Sequence, residues 1–243
     1  MRPRRRSTHF RGAGLGAAPQ HVGVGLAGGG HRNGPALAPG AAFRGLHHPG
    51  YNTRWAKIIL PRLIRKSSNA ENLVAITIFF GANDSALKDE NPKQHIPLDE
   101  YIENLKNMIQ YLKSIDIPES RIILITPPPL CESAWEKECI AQGFKLNRTN
   151  VVVGEYAKAC LQVGQNCGAD VLDLWTLMQK DNEDFSSYLS DGLHLSPKGN
   201  EFLSSHLWPL LEKKVASLPL ILPYWRNVAE TKPEHSLLGN GDN

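Results

Sequence analysis

From residue 51 onward, the apolar residues form two kinds of pattern: short unbroken runs and runs with helical spacing. An unbroken run, rich in β-branched side chains, occupies residues 73–80; residues 121–126 follow the same pattern after Arg121, and residues 170–174 do so less completely because Asp170 and Asp173 interrupt them. Runs of this length without a polar face are typical of strands buried on both sides, as in a parallel sheet. They predict three strands.

Segments with apolar residues three and four positions apart surround these strands and predict helices. They are residues 56–66, 98–115 and 151–166, and the region after Ser196. We expect Pro61 to distort the first helix and Gly168 to end the third, and Ser196-Pro197 is a typical helix start. The alternation of strands and helices predicts an α/β fold with a parallel sheet, in which ligands bind at the carboxyl ends of the strands.

The first 49 residues show neither pattern. Residues 1–50 hold 12 of the 21 glycines, five prolines, seven Lys or Arg and no Asp or Glu, whereas the rest of the chain has 20 basic and 24 acidic residues. Because such a segment buries too little apolar surface to offset backbone ordering, we predict that residues 1–49 are disordered. Its arginines suggest nucleic-acid binding or a mitochondrial presequence, but it has no interleaved aromatic residues and its glycines oppose an amphipathic helix. We therefore expect no nucleic-acid partner.

The remaining composition indicates one domain over residues 50–228 and a flexible tail over residues 229–243. No apolar run is long enough to predict a membrane span. The four cysteines form no CxxC pair and have no histidine at a metal-binding interval, so we expect neither a metal site nor a redox motif. With no secretory signal pattern, a cytoplasmic location fits best.

Two short stretches contain candidate chemistry. In SDGLHLSP (190–197), Asp191 and His194 match the base half of a nucleophilic triad, in which the carboxylate orients an imidazole that takes a proton from a hydroxyl. In GAND (81–84), Asn83 follows a predicted strand and could donate its amide to an oxyanion. Taken singly, such residues are more often a capping Asp, a solvated His and a loop Asn.

Together the two stretches resemble sequence blocks of the GDSL-type SGNH hydrolases. With GYNTRW (50–55) and the prolines at 127–129, the similarity is greatest to the isoamyl acetate-hydrolysing esterase branch. The resemblance implies a three-layer α/β/α, flavodoxin-like hydrolase of lipid metabolism that cleaves small carboxylic esters, with short acyl or acetyl groups, through a seryl acyl-enzyme and without cofactor. It also implies that His194 is the base, Asp191 its orienting acid, and the Asn83 side chain and Gly50 backbone N–H the oxyanion donors.

The chain departs from this family pattern at its nucleophile. The family serine lies in a Gly-Asp-Ser motif after the first strand, and the 243 residues contain no such motif. Before Gly50 the hydroxyl residues are Ser7 and Thr8, which follow no predicted strand. Ser85, Ser190 and Ser196 are close to the motifs but unsuited to attack under His194. We therefore expect impaired catalysis and an alternative N-terminus.

The family strand order 2-1-3-4-5 leads to an expectation about the sheet. The three predicted strands correspond to the third, fourth and fifth, so the first two are expected to be missing and strand 73–80 to form an exposed apolar edge. A non-catalytic interaction protein that uses this edge and the basic segment, or an inactive isoform, is the alternative. The sequence does not indicate acyl-chain length or oligomeric state.

Overall fold

The computed structural model describes residues 50–66, 73–180, 184–216, 226 and 228–237, together with the backbone of residues 42–46. Within these residues a parallel sheet has the order β1-β2-β3-β4. The strands are β1 (Ala42–Leu46), β2 (Leu73–Phe79), β3 (Ile122–Ile125) and β4 (Asp170–Leu172). The helices are α1 (Thr53–Leu63), α2 (Leu98–Ser114), α3 (Glu132–Ala141), α4 (Asn150–Cys167), α5 (Leu174–Gln179), α6 (Pro197–Val215) and α7 (Glu234–Leu237). The α/β class is confirmed.

Helices cover both faces of the sheet. Alternate residues of β2 and β3, among them Ile76 and Leu124, pack in one core with α1, α2 and α4. The residues between them, among them Ala75 and Ile123, pack on the opposite face with α5 and α6. Both faces of these strands are therefore buried, which is the reason that their sequences are continuously apolar. Each buried leucine or isoleucine contributes roughly 1.5–3 kcal/mol of transfer free energy.

Strand β1 corrects two predictions. Residues 42–46 are not disordered, and β2 is not an exposed edge, because β1 pairs with it in parallel from Ala42 opposite Leu73 to Leu46 opposite Ile78. The strand was missed because AFRGL is short and contains an arginine and a glycine, so the pairing partner rather than the local pattern defines it. At least one strand thus precedes Gly50. The rest of the segment predicted to be disordered, residues 1–41 and 47–49, lies outside the described residues.

Local capping explains several of the helix boundaries. Helix α1 begins three residues earlier than predicted because the Asn52 side chain accepts a hydrogen bond from the Trp55 N–H (3.1 Å). Helix α4 ends, as predicted, at Gly168, whose φ is +73°. Helix α6 begins, as predicted, at Ser196, whose Oγ accepts from the Gly199 N–H (3.1 Å). The predicted third strand is shorter than expected, since Asp173 caps α5 instead of continuing β4.

Three helices, α3, α5 and α7, were not among those predicted. Helix α3 was not predicted because it buries only Cys139 and so has no apolar stripe. The short helix α7 lies within the predicted flexible tail, and residues 238–243 lie outside the described residues. Within the described part of the chain, no helix is both long and apolar enough to span a bilayer.

Candidate active site

The loop before α6 holds Asp191 and His194 together. The Asp191 Oδ2 is hydrogen-bonded to the His194 ring Nδ1, and its Oδ1 accepts the backbone N–H groups of Leu193 (2.9 Å) and His194 (2.7 Å). The loop is closed by the Ser190 N–H, which donates to the His194 carbonyl (2.7 Å). Burial raises the pKa of Asp191, but the hydrogen bonds from His194 and Leu193 outweigh it and hold that pKa below its ordinary value. Asp191 is therefore a carboxylate at neutral pH.

Helix α3 supports this loop from one side. The Cys131 N–H donates to the Gly192 carbonyl (2.9 Å), and Gly192 has a φ of +94°. A Cβ at Gly192 would lie 2.6 Å from both the Cys131 carbonyl oxygen and the Trp135 nitrogen, so only glycine allows this approach. The Trp135 ring stands edge-on to the His194 ring with centroids 5.9 Å apart. The imidazole is thus held between Asp191 and Trp135.

Asn83 lies in the turn that follows β2, at the carboxyl end of that strand. Its Nδ2 donates to the Tyr51 carbonyl (2.8 Å), and its Oδ1 accepts from Arg148 Nη2 (3.0 Å). The side-chain amide has two N–H groups, and Tyr51 occupies one of them. Because Asn83 is only partly buried, its second N–H can serve a ligand.

Gly50 joins the same polar network through its carbonyl. It is an exposed turn residue with a φ of +75°, and its carbonyl accepts from Gln94 Nε2 (3.2 Å). The Gln94 Oε1 in turn accepts from Arg148 Nη2 (2.6 Å), the same nitrogen that binds Asn83. Both predicted oxyanion donors therefore belong to residues connected through Arg148.

A chain of contacts also connects Asn83 with His194. Arg148 Nη1 (2.7 Å) and Trp135 Nε1 (3.0 Å) both donate to Asn147 Oδ1, and Trp135 contacts the His194 ring. A small apolar cluster includes Ala82 from the GAND turn and Leu193 from the His194 loop. Its members are Leu130, Val153, Leu193, Ala82, Trp135 and Trp175. The two motifs thus meet at one end of the sheet.

Sequence reasoning missed the polar residues that join the two motifs. Gln94 and Arg148 lie in irregular segments, NPKQHI and KLNRTN, that have no periodic pattern and no motif spacing. An arginine between an asparagine and a threonine in a loop is most often a solvated residue, so nothing in the local sequence distinguishes Arg148. Only the fold shows that it is buried beside Asn83.

Asp84, the last residue of GAND, has a structural environment. It is fully buried, and its Oδ1 accepts from both the backbone N–H (2.9 Å) and the hydroxyl of Thr53, the first residue of α1. Its Oδ2 has no hydrogen-bond partner among the described residues. Burial raises the pKa of Asp84 to about 6, although the Thr53 hydrogen bonds oppose that rise. The contact fixes the start of α1 against the GAND turn.

The serines nearest the motifs are all engaged elsewhere. Ser85 is fully buried and its hydroxyl donates to the Ala82 carbonyl (3.3 Å). The Ser190 hydroxyl donates to the His194 backbone carbonyl (3.1 Å), and the Ser196 hydroxyl caps α6 and donates to the Ser187 carbonyl (2.8 Å). Within the described ranges, the hydrogen-bond partner of the His194 ring is Asp191. Ser7 and Thr8 lie outside those ranges.

No group of three or more His, Cys, Asp or Glu side chains that could bind a metal ion occurs in the part of the chain that the structure describes. The chemistry that this arrangement can supply is acid–base and electrostatic: a carboxylate-bound imidazole, and a side-chain amide whose oxygen accepts a hydrogen bond from a buried cation.

Comparison with known proteins gives a consistent result. The family model described as GDSL-like Lipase/Acylhydrolase matches residues 13–207. The human isoamyl acetate-hydrolyzing esterase 1 homolog is 80% identical over 193 residues, which cover 79% of this chain and 77% of that relative. The Mus musculus homolog is 75% identical over 193 residues, which cover 79% of this chain and 78% of that relative. The crystal structure of the lipase/acylhydrolase from Enterococcus faecalis superimposes with a TM-score of 0.52 at 27% identity, over 70% of this chain and 74% of that one. The chain therefore belongs to the GDSL-like lipase/acylhydrolase family.

Proposed function

We propose that the site is the base and oxyanion part of a seryl-esterase centre for small carboxylic esters with short acyl groups, such as acetyl esters. The main support is that Asp191 is hydrogen-bonded to Nδ1 of the His194 ring, while Asn83, at the same end of the sheet, uses only one of its two amide N–H groups for Tyr51. Membership of an acylhydrolase family supports the ester class. Relatives named for isoamyl acetate hydrolysis support a short acyl group.

In this proposal each residue has a defined role. The His194 Nε2 takes the proton of an attacking hydroxyl as that oxygen bonds to the ester carbonyl carbon, and it then gives the proton to the departing alcohol. Asp191 stabilises the imidazolium that forms between these steps. The Asn83 amide and the Gly50 backbone N–H donate to the carbonyl oxygen as it becomes negative. A water molecule then attacks the acyl-serine ester by the same steps and releases the acid.

We further propose that this chain has low turnover because the attacking serine is absent. The 243 residues lack a Gly-Asp-Ser motif, and Ser85, Ser190 and Ser196 are hydrogen-bonded to groups other than the His194 ring. Removal of the serine from a comparable triad lowers kcat by about a millionfold. The competing hypothesis is an interaction protein that uses a sheet edge and the basic segment; pairing of β1 along β2 means that strand 73–80 is not that edge.

The test compares p-nitrophenyl acetate hydrolysis by the full chain and by a variant with a strand ending in Gly-Asp-Ser inserted before residue 50. We expect little turnover and no fluorophosphonate labelling of the full chain, and a gain of both in the variant. His194→Ala in the variant is expected to abolish the gained turnover. Rapid hydrolysis by the full chain that survives His194→Ala would contradict the proposed mechanism.

A further inference from the structure

Arg148 is a buried cation whose hydrogen-bond acceptors are all neutral oxygens, and its guanidinium carbon lies over the Trp135 ring, 5.7 Å from the ring centroid. Arg148 is 2% exposed, and its guanidinium donates four hydrogen bonds. The acceptors are the Ala82 carbonyl (2.7 Å), Asn147 Oδ1 (2.7 Å), Asn83 Oδ1 (3.0 Å) and Gln94 Oε1 (2.6 Å). Among the described residues no carboxylate forms an ion pair with it. Burial lowers the pKa of Arg148 to about 10, so it remains charged at neutral pH.

Such an arrangement is costly, because a desolvated charge without a counterion must be stabilised by oriented dipoles and, here, by the face of the Trp135 ring. A role in holding the fold together does not explain where those dipoles lie. Two of the four acceptors belong to consecutive residues of the GAND turn, Ala82 and Asn83, and a third belongs to Gln94, which binds the Gly50 carbonyl. The hydrogen bonds of the buried cation therefore reach Asn83 directly and Gly50 through Gln94, the two residues assigned to the oxyanion.

The guanidinium determines which way the Asn83 amide faces. Arginine has only donors, so the group directed at it must be Oδ1; the Tyr51 carbonyl only accepts, so the group directed at it must be Nδ2. With both ends fixed, the second Nδ2–H has one direction. A charge-assisted bond to Oδ1 also holds the amide more firmly than a neutral one.

We propose that Arg148 is a positioning residue that orients the Asn83 amide, so that its free N–H is preorganised for the oxyanion of the substrate. This inference rests on the proposed function for its meaning in catalysis. The orientation itself is a property of the folded chain and can be measured without turnover.

The first experiment records the side-chain amide signals of Asn83 by ¹⁵N NMR in the full chain, with Asn83→Ala to assign them. Arg148→Met is expected to shift both proton signals and to raise their exchange with water by about tenfold, as loss of a charge-assisted hydrogen bond predicts. Arg54→Met is the matched control, since Arg54 forms an exposed ion pair with Glu100. It should leave the Asn83 signals unchanged. Identical Asn83 signals in the two folded Arg→Met variants would overturn the proposal.

A second measurement needs no substitution at Arg148. In the unsubstituted chain the Arg148 Nε–H should exchange with water much more slowly than the Arg54 Nε–H, because it is buried against the Ala82 carbonyl. Equal exchange rates for the two arginines would overturn the proposal even if Arg148→Met does not fold. Neither readout depends on ester hydrolysis, so failure of the esterase proposal and failure of this one are distinguishable.

Discussion

Asp191 binds His194 twice, once through the imidazole Nδ1 and once through the backbone N–H at 2.7 Å. One carboxylate therefore fixes both the tautomer of the ring and the turn that presents it. The two oxygens divide these tasks, since Oδ2 faces the ring and Oδ1 faces the backbone. Substitutions at Asp191 can separate them.

Asp191→Asn and Asp191→Ala should have different effects. Asparagine keeps an oxygen for the backbone but presents an amide N–H to His194 Nδ1, so the ring should change from the Nδ1–H to the Nε2–H tautomer, measurable by ¹⁵N NMR. Alanine also removes the acceptor for two backbone N–H groups, and we expect it to lower the free energy of unfolding by about 1–3 kcal/mol.

Asp184→Ala is the control for these variants, because Asp184 is an exposed carboxylate that caps the short 3-10 helix Phe185–Tyr188 by accepting from the Ser186 N–H (2.9 Å). It should cost less stability than Asp191→Ala and should leave the His194 tautomer unchanged. An unchanged tautomer in Asp191→Asn would contradict the orienting role.

Gly192→Ala should destabilise the chain more than Gly143→Ala. Both glycines have a positive φ, +94° and +80°, which costs roughly 1–2 kcal/mol for any other residue. A Cβ at Gly143 would meet nothing within 4 Å, whereas one at Gly192 would meet backbone atoms of Cys131 and Trp135 at 2.6 Å. We expect an additional loss of about 1–3 kcal/mol at Gly192 from this overlap, measured by urea unfolding. Equal losses in the two variants would show that α3 does not pack tightly on the His194 loop.

Asp84 should make the chain less stable as the pH rises from about 4 to 6. Its folded-state pKa of about 6 exceeds its ordinary value of 3.8, so in this window the unfolded chain releases a proton that the folded chain retains. The free energy of unfolding therefore falls with rising pH, by up to ~3 kcal/mol once Asp84 is ionised in both states. Asp84→Asn should remove this decrease.

Urea unfolding at a series of pH values from 4 to 7 provides the measurement. Asp89→Asn is the control for loss of a carboxylate at the surface, because Asp89 is exposed. It should retain the decrease shown by the unsubstituted chain. Parallel pH profiles for Asp84→Asn and the unsubstituted chain would argue against a buried, protonated Asp84.

Sequence predicted the parts of the molecule whose local pattern has a single structural explanation. The run at 73–80 could only be a strand buried on both faces, and Ser196-Pro197 only a helix start; both predictions are confirmed. The GAND turn and the Asp191–His194 loop are brought to one end of the sheet, while their catalytic roles stay predictions.

The missed parts depend on partners distant in sequence. Strand β1 is defined by its pairing with β2, and Arg148 by acceptors 54 to 66 residues away. A single sequence contains the residues of such contacts but not their pairing. Local propensity was overridden by tertiary contacts in both cases.

The place of β1 beside β2 has a consequence for any attempt to restore the serine. In the family order 2-1-3-4-5, the strand that ends in Gly-Asp-Ser lies next to the third strand. Here β1 occupies that position in the sheet. An inserted serine strand must therefore compete with β1 for the same row of β2 hydrogen-bonding groups. To admit it, β1 would have to step outward by one strand spacing, about 4.8 Å, and recovery of activity would report a strand exchange as well as a new hydroxyl.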